Sequence, residues 1–154
     1  MASKTRTVIL AVIARLQAIN GTGAYTYDLS GTGAVKGHRS RQEDTRLPAA
    51  WVCLGTLDSD DGPQLGSFRR DLVIDIEARC QPSTQDPQER ALAAADLLQD
   101  ITVALESDRR LGGLILGMKV TGCTVDGDEV GMGSIGIVYC QCSIYWHARS
   151  GEGV

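Results

Sequence analysis

Apolar residues recur three and four positions apart at Ile9, Val12, Ile13 and Leu16, which predicts a one-faced helix over about Thr5–Ile19, stopped by Asn20-Gly21. The pattern then breaks. Gly21-Thr22-Gly23-Ala24 and Gly31-Thr32-Gly33-Ala34 echo each other around Tyr25–Leu29, as turns flanking a short strand would. Lys36–Arg46 has no period and reads as a long polar loop. Trp51–Leu57 is a strand candidate, and Asp58-Ser59-Asp60-Asp61-Gly62-Pro63 is a dense turn signal. Phe68–Cys80 shows the cleanest alternation. Phe68, Leu72, Ile74, Ile76, Ala78 and Cys80 share one face, with Arg70 the exception, and Arg69, Asp71, Asp75, Glu77 and Arg79 share the other.

Asp86-Pro87-Gln88-Glu89 is a helix start, with a capping side chain, proline at the first helical position and a carboxylate at the capping-box position. That helix carries Leu98, Ile101 and Leu105 on one stripe, with Ala94 and Leu97 beside it, and stops before Gly112-Gly113. Its alanines suit close packing on a sheet. Two further strands are expected over Leu114–Val125 and Ser134–His147, separated by Asp126-Gly127-Asp128-Glu129. The order helix, hairpin, helix, hairpin predicts an α+β fold, a mostly antiparallel sheet with two main helices on it. One domain is expected over residues 1–149, with a long loop at about 30–47 and a flexible tail from 150 to 154.

Composition narrows the options. A chain of 154 residues supports one domain with its own core. Aromatic residues are 5% of the chain, too few for base-stacking platforms, and the net charge of -4 disfavours wholesale phosphate neutralisation. The apolar run Val8–Ala14 is too short for a signal peptide core or a membrane span, so a cytosolic origin is expected. Five cysteines, Cys53, Cys80, Cys123, Cys140 and Cys142, lack framework spacing and read as buried thiols.

No catalytic or metal motif completes itself. Lys36 follows Gly31-Thr32-Gly33, but the Gly-Lys-Ser/Thr of a phosphate loop is absent. Counted from Asp58, the twelfth place of a calcium loop is Arg69, where glutamate is required, and counted from Asp126 the fifth place is Val130. Cys140 and Cys142 have no second close Cys/His pair to complete a zinc set. Met132 stands where a nucleophile elbow around Ser134 needs glycine, and the two histidines, His38 in the basic loop and His147 at the end of the last strand, could meet a Ser or Cys only in space. The expectation is a non-enzymatic protein with no cofactor and no metal. Lys36, His38, Arg39, Arg41 and Arg46 make the loop basic, interrupted by Glu43 and Asp44. Such a loop is solvated, meets another protein, or touches DNA phosphates.

The amphipathic N-terminal helix, Tyr25-Thr26-Tyr27-Asp28-Leu29, the basic loop ending in Leu47-Pro48-Ala49 and the alternating strand come in a particular order. An Ala/Leu-rich helix then opens with Asp-Pro and closes with Asp108-Arg109-Arg110-Leu111-Gly112-Gly113-Leu114, and two final strands follow. From about Arg6 to Trp146 this layout resembles the tail terminator (minor tail or tail completion) proteins of long-tailed bacteriophages. The resemblance implies an α+β subunit of a homohexameric ring in the virion, assembled in the host cytoplasm. That ring would cap the tail tube and end its polymerisation, meet the major tail tube protein and the head connector, and let DNA pass without specific binding. It implies no membrane partner. On this reading the contact residues would be Lys36, Arg39, Arg41 and Arg46 together with Asp58, Asp60, Asp61, Asp126, Asp128 and Glu129. A neck (head-closure) subunit is the rival within the class. Outside it stand a small nucleic-acid- or ligand-binding module and an uncharacterised hydrolase.

Overall fold

The computed structural model describes residues 2–37, 46–61, 66–82, 86–126 and 135–149. Helix α1 spans Lys4–Gln17 and helix α2 spans Pro87–Glu106; the strands are β1 Val35–Lys36, β2 Ala49–Asp61, β3 Ser67–Cys80, β4 Gly117–Asp126 and β5 Gly136–Arg149. They form one sheet in the order β1-β2-β3-β5-β4, antiparallel throughout except for the parallel pair β1–β2. The fold is α+β. Both helices lie on the same side of the sheet, α2 over β3, β5 and β4, and α1 against α2 and the β1–β2 edge.

The period-two pattern of β3 decides which side is which. Leu72, Ile74, Ile76, Ala78 and Cys80 are buried, and in register with them on β5 stand Ile144, Cys142, Cys140, Val138 and Gly136. Helix α2 closes this layer with Ala94, Leu97, Ile101, Ala104 and Leu105, and α1 with Val8, Val12 and Leu16. The centre of the α1 stripe is therefore Val8-Val12-Leu16, one step round from the expected one, with Ile9 and Ile13 half-buried at its flank. Each leucine or isoleucine fully buried here contributes about 1.5–3 kcal/mol relative to exposure. Asp86 caps α2 by accepting from the amide of Gln88 at 3.1 Å, and Ser3 caps α1 by accepting from that of Arg6 at 3.2 Å.

Four expectations need correction. Asp58, Ser59, Asp60 and Asp61 are strand residues, paired with Asp71, Arg70, Arg69 and Phe68. Pairing across the hairpin outweighs their local preference for a turn. Lys36 belongs to β1 and pairs beside Trp51, so the polar loop begins after it. Tyr25–Leu29 is a loop held by the bridge from Asn20 to Asp28, because its amides are claimed by a side chain of α2. Helix α2 ends at Glu106, and the segment to Leu116 is a series of turns. There Asp108 accepts from the amides of Arg110 and Gly112, and Leu111, Gly112 and Gly113 all have positive φ. The expected acidic turn at Asp128 and Glu129 and the tail from Ser150 lie outside the described residues.

Candidate interaction surfaces

The basic residues come first. Lys36, at the end of β1, and Arg46, just before Leu47-Pro48, line one cleft of about 550 Å3 together with Asp28 and Gly33. Arg39 and Arg41 lie outside the described residues. The cleft wall is the glycine-rich loop, and the loop is fastened from below. Asp100 on α2 is 1% exposed, and its Oδ2 accepts from the amides of Thr26 at 2.9 Å and Tyr27 at 2.8 Å. A buried carboxylate is tolerated only where hydrogen bonds replace its water, and these two amides do so. Leu29 buries its side chain beyond them and donates its amide to Ile19 at 2.8 Å. Asp28 is turned to the surface, where the hydroxyl and amide of Ser30 hold its carboxyl below the usual carboxylate range.

The acidic residues do not join that cleft. Asp58 and Asp60 lie on the helix-free face of β2, in register with Asp71 and Arg69 on β3. Arg69 forks onto Asp71, with Nε–Oδ2 at 2.9 Å and Nη2–Oδ1 at 2.8 Å, and its guanidinium lies 4.8 Å from the ring centre of Tyr145. Tyr145 in turn covers Gly117, where an added Cβ would stand 2.5 Å from the ring. Asp126, at the end of β4, pairs with Ile137 at the opposite end of the sheet from Asp58, whose row ends in Gly117. Lys36 with Arg46, Asp58 with Asp60, and Asp126 thus occupy three separate places.

The same helix-free face carries Trp51, Glu77 and Arg79. Arg79 bonds Glu77 through both Nε and Nη2, and its guanidinium stacks 5.3 Å from the Trp51 ring centre. His147 also lies on this face, level with Arg69. Among the described residues, no three His, Cys, Asp or Glu side chains are grouped to hold a metal, and no helix is long and apolar enough to cross a membrane.

The thiols of β5 point into the core. Burial pushes the Cys140 and Cys142 thiols up to about 12, which leaves them neutral and unreactive at pH 7. Burial likewise raises the Tyr27 phenol, beside Cys80. Exposed Cys123 should therefore react with a thiol reagent within minutes at pH 7, while Cys140 and Cys142 react only after unfolding; mass mapping of the adducts checks this. The linkage has a definite sign. A thiol whose pKa is raised on folding stabilises the fold below its unfolded value of about 9, and that contribution is lost as pH climbs towards 12. Thermal midpoints should decline across that alkaline window, and a Cys140→Ala/Cys142→Ala double variant should decline less.

No family model matches this chain, and no curated protein does. Among solved structures, it is similar to a chain of the virion of a native gene transfer agent (GTA) particle. The identity is 13%, the TM-score is 0.48, and the likeness covers 92% of this chain and 95% of that one.

The sequence contained no signal for Asp100, whose partners lie more than seventy positions away, nor for the Arg69–Tyr145–Gly117 stack. The arrangement presents a basic cleft on one edge and, on the helix-free face, the exposed charges of Asp58, Asp60 and Arg69 at one end and the buried Trp51–Arg79–Glu77 group at the other.

Proposed function

We propose that this chain is a structural subunit of a phage-type virion that assembles into a ring, caps the tail tube, ends its polymerisation and joins the tail to the head connector. The observation that supports it is the one-sided architecture. Both helices pack on one face of the sheet, and among the described residues no helix packs on the other face. A unit built this way has one wall of helices and one wall of strands, and can be repeated around an axis with a helical outside and a stranded inside. The element order on which the resemblance to tail terminators rests is compatible with this reading.

On the helix-free face the exposed Arg69 pairs with Asp71 beside the acids Asp58 and Asp60, while the Arg79–Glu77 pair at the other end is buried. As a channel wall this face would offer DNA no continuous basic track, so passage without specific binding follows. Lys36 and Arg46, with Arg39 and Arg41, would serve as contacts to carboxylates of a neighbouring subunit or the tube end.

The test is direct. Purified chain added to polymerising major tail tube protein should fix tube length and appear as a terminal ring by negative-stain imaging. Tubes of unchanged length with bare ends would exclude the capping role. Binding to the connector with no effect on tubes would identify a neck subunit instead.

A further inference from the structure

Strands β2 and β4 run in opposite directions, because three antiparallel pairings separate them. Strand β1 covers only Ala50 and Trp51 of β2, so the rest of that edge has no strand partner among the described residues, and neither does the outer side of β4. Open edges of this kind pair with other strands unless they are protected, most often by lysine, proline or a bulge. Each edge here has a bulge, between Leu54 and Leu57 on β2 and between Thr121 and Thr124 on β4. Beyond the bulges each keeps a regular five-residue run, Leu57–Asp61 and Gly117–Thr121. The two runs sit at the same end of the sheet, since Asp58, Asp71, Tyr145 and Gly117 form one row.

Their charges are opposite. The β2 run carries Asp58 and Asp60, both exposed. The β4 run carries exposed Lys119, and the hollow of about 520 Å3 beside it is lined by Lys119, Arg109 and Arg69, with Asp71 its one carboxylate among the described residues. We infer that the partner of each edge is the other edge of a second copy of this chain. The Leu57–Asp61 run of one copy adds antiparallel to the Gly117–Thr121 run of the next. A single register keeps each residue on its own face of the sheet and satisfies both faces. Asp58 stands opposite Lys119, while half-buried Leu57 meets half-buried Val120 on the helix side. Asp60 then falls opposite Gly117, next to the Arg69–Tyr145 stack of the neighbour. Opposite charges facing each other across strands stabilise a pair and like charges destabilise it, so the acidic and basic edges also forbid like-with-like association. The contact is heterologous and closes into a ring or propagates. This inference rests on the ring reading and names its interface.

The experiment uses two full-length variants, Asp58→Lys/Asp60→Lys and Lys119→Glu, analysed by native mass spectrometry and sedimentation over a range of concentrations. Each variant alone should need ~tenfold more protein to assemble than the wild type, or remain monomeric. An equimolar mixture should assemble again, with strictly alternating 1:1 composition, because the new lysines then face the new glutamate and the old pair is intact at every second contact. Unfolding cannot produce that recovery. Variants that assemble alone like the wild type, or a mixture of folded variants that stays monomeric, would overturn the edge pairing. A wild-type chain that is monomeric at every concentration would overturn it too. In the first case rings themselves persist. In the others the capping role is judged separately by the tube-length assay with wild-type protein.

Discussion

Asp100→Ala should lower stability by about 3 kcal/mol, which for a domain of this size is a fall of roughly 10 °C in the unfolding midpoint. Two backbone amides, those of Thr26 and Tyr27, converge on one oxygen of this carboxylate, and the site is closed to water. Hydrogen bonds to an ionised acceptor contribute about 1.5–3 kcal/mol each, and stranding their buried donors adds a desolvation cost. The loss should be local in character as well as large. Hydrogen exchange at Thr26 and Tyr27 should accelerate by orders of magnitude, whereas the β3–β5 ladder keeps its protection below the transition. Asp100→Asn retains a carbonyl acceptor without the charge and should cost about half as much. If the alanine variant melts within a degree or two of the wild type, Asp100 does not anchor the loop.

The second large effect is expected at Gly136→Val. Gly136 begins β5 directly beneath α2, and a Cβ placed there would stand 2.9 Å from the carbonyl oxygen of Arg90, 3.1 Å from the sulfur of Cys80 and 3.2 Å from the Cβ of Ala94. None of these can turn aside as a flexible side chain would. The helix must lift from the sheet, and overpacking of this kind costs typically 1–3 kcal/mol, with valine at the upper end, about 3 kcal/mol. Gly136→Ala should lie lower in the same range. Gly23→Ala, where an added Cβ meets nothing within 4 Å, reports only the cost of its positive φ. Among the chemical denaturation midpoints of the three variants, that of Gly136→Val should be the lowest and that of Gly136→Ala the next. A valine variant as stable as the wild type would mean that α2 does not sit closely on β5.

The parts of the fold legible in the sequence were those fixed by local periodicity or capping chemistry. The alternation over Phe68–Cys80 became β3 with its buried face as read, and Asp86-Pro87 opened α2 with the expected cap. Long-range pairing was not legible. Asp58–Asp61 have the composition of a turn, and only the facing residues of β3 make them a strand. A two-residue parallel strand such as β1 has no period to detect. The early end of α2 follows from Asp108, which reaches forward to the amides of Arg110 and Gly112 and backward to Arg15 on α1 at 2.6 Å, so the Gly-Gly pair ends a turn and not the helix. Among the candidate contact residues, Lys36 and Arg46, close in sequence, line one cleft. Sequence proximity could not tell that Asp58 and Asp126 belong to opposite corners of the sheet, because which strand forms an edge is a property of topology. Asp100 was hidden for a related reason: one acid among helical residues looks solvated until the loop that covers it is in place.

The kinks at Leu54–Leu57 and Thr121–Thr124 bear on geometry at a larger scale. An extra residue on one side of a strand pair sharpens the local coiling of the ribbon, and here the β2–β3 and β4–β5 ribbons each contain one. If successive copies join along these ribbons, the angle from one copy to the next is set largely by two insertions of a single residue. Sixfold closure requires roughly 60° at each step. Removing Thr56 or Cys123 would therefore alter the pitch or the copy number of the assembly while leaving each subunit's interior intact.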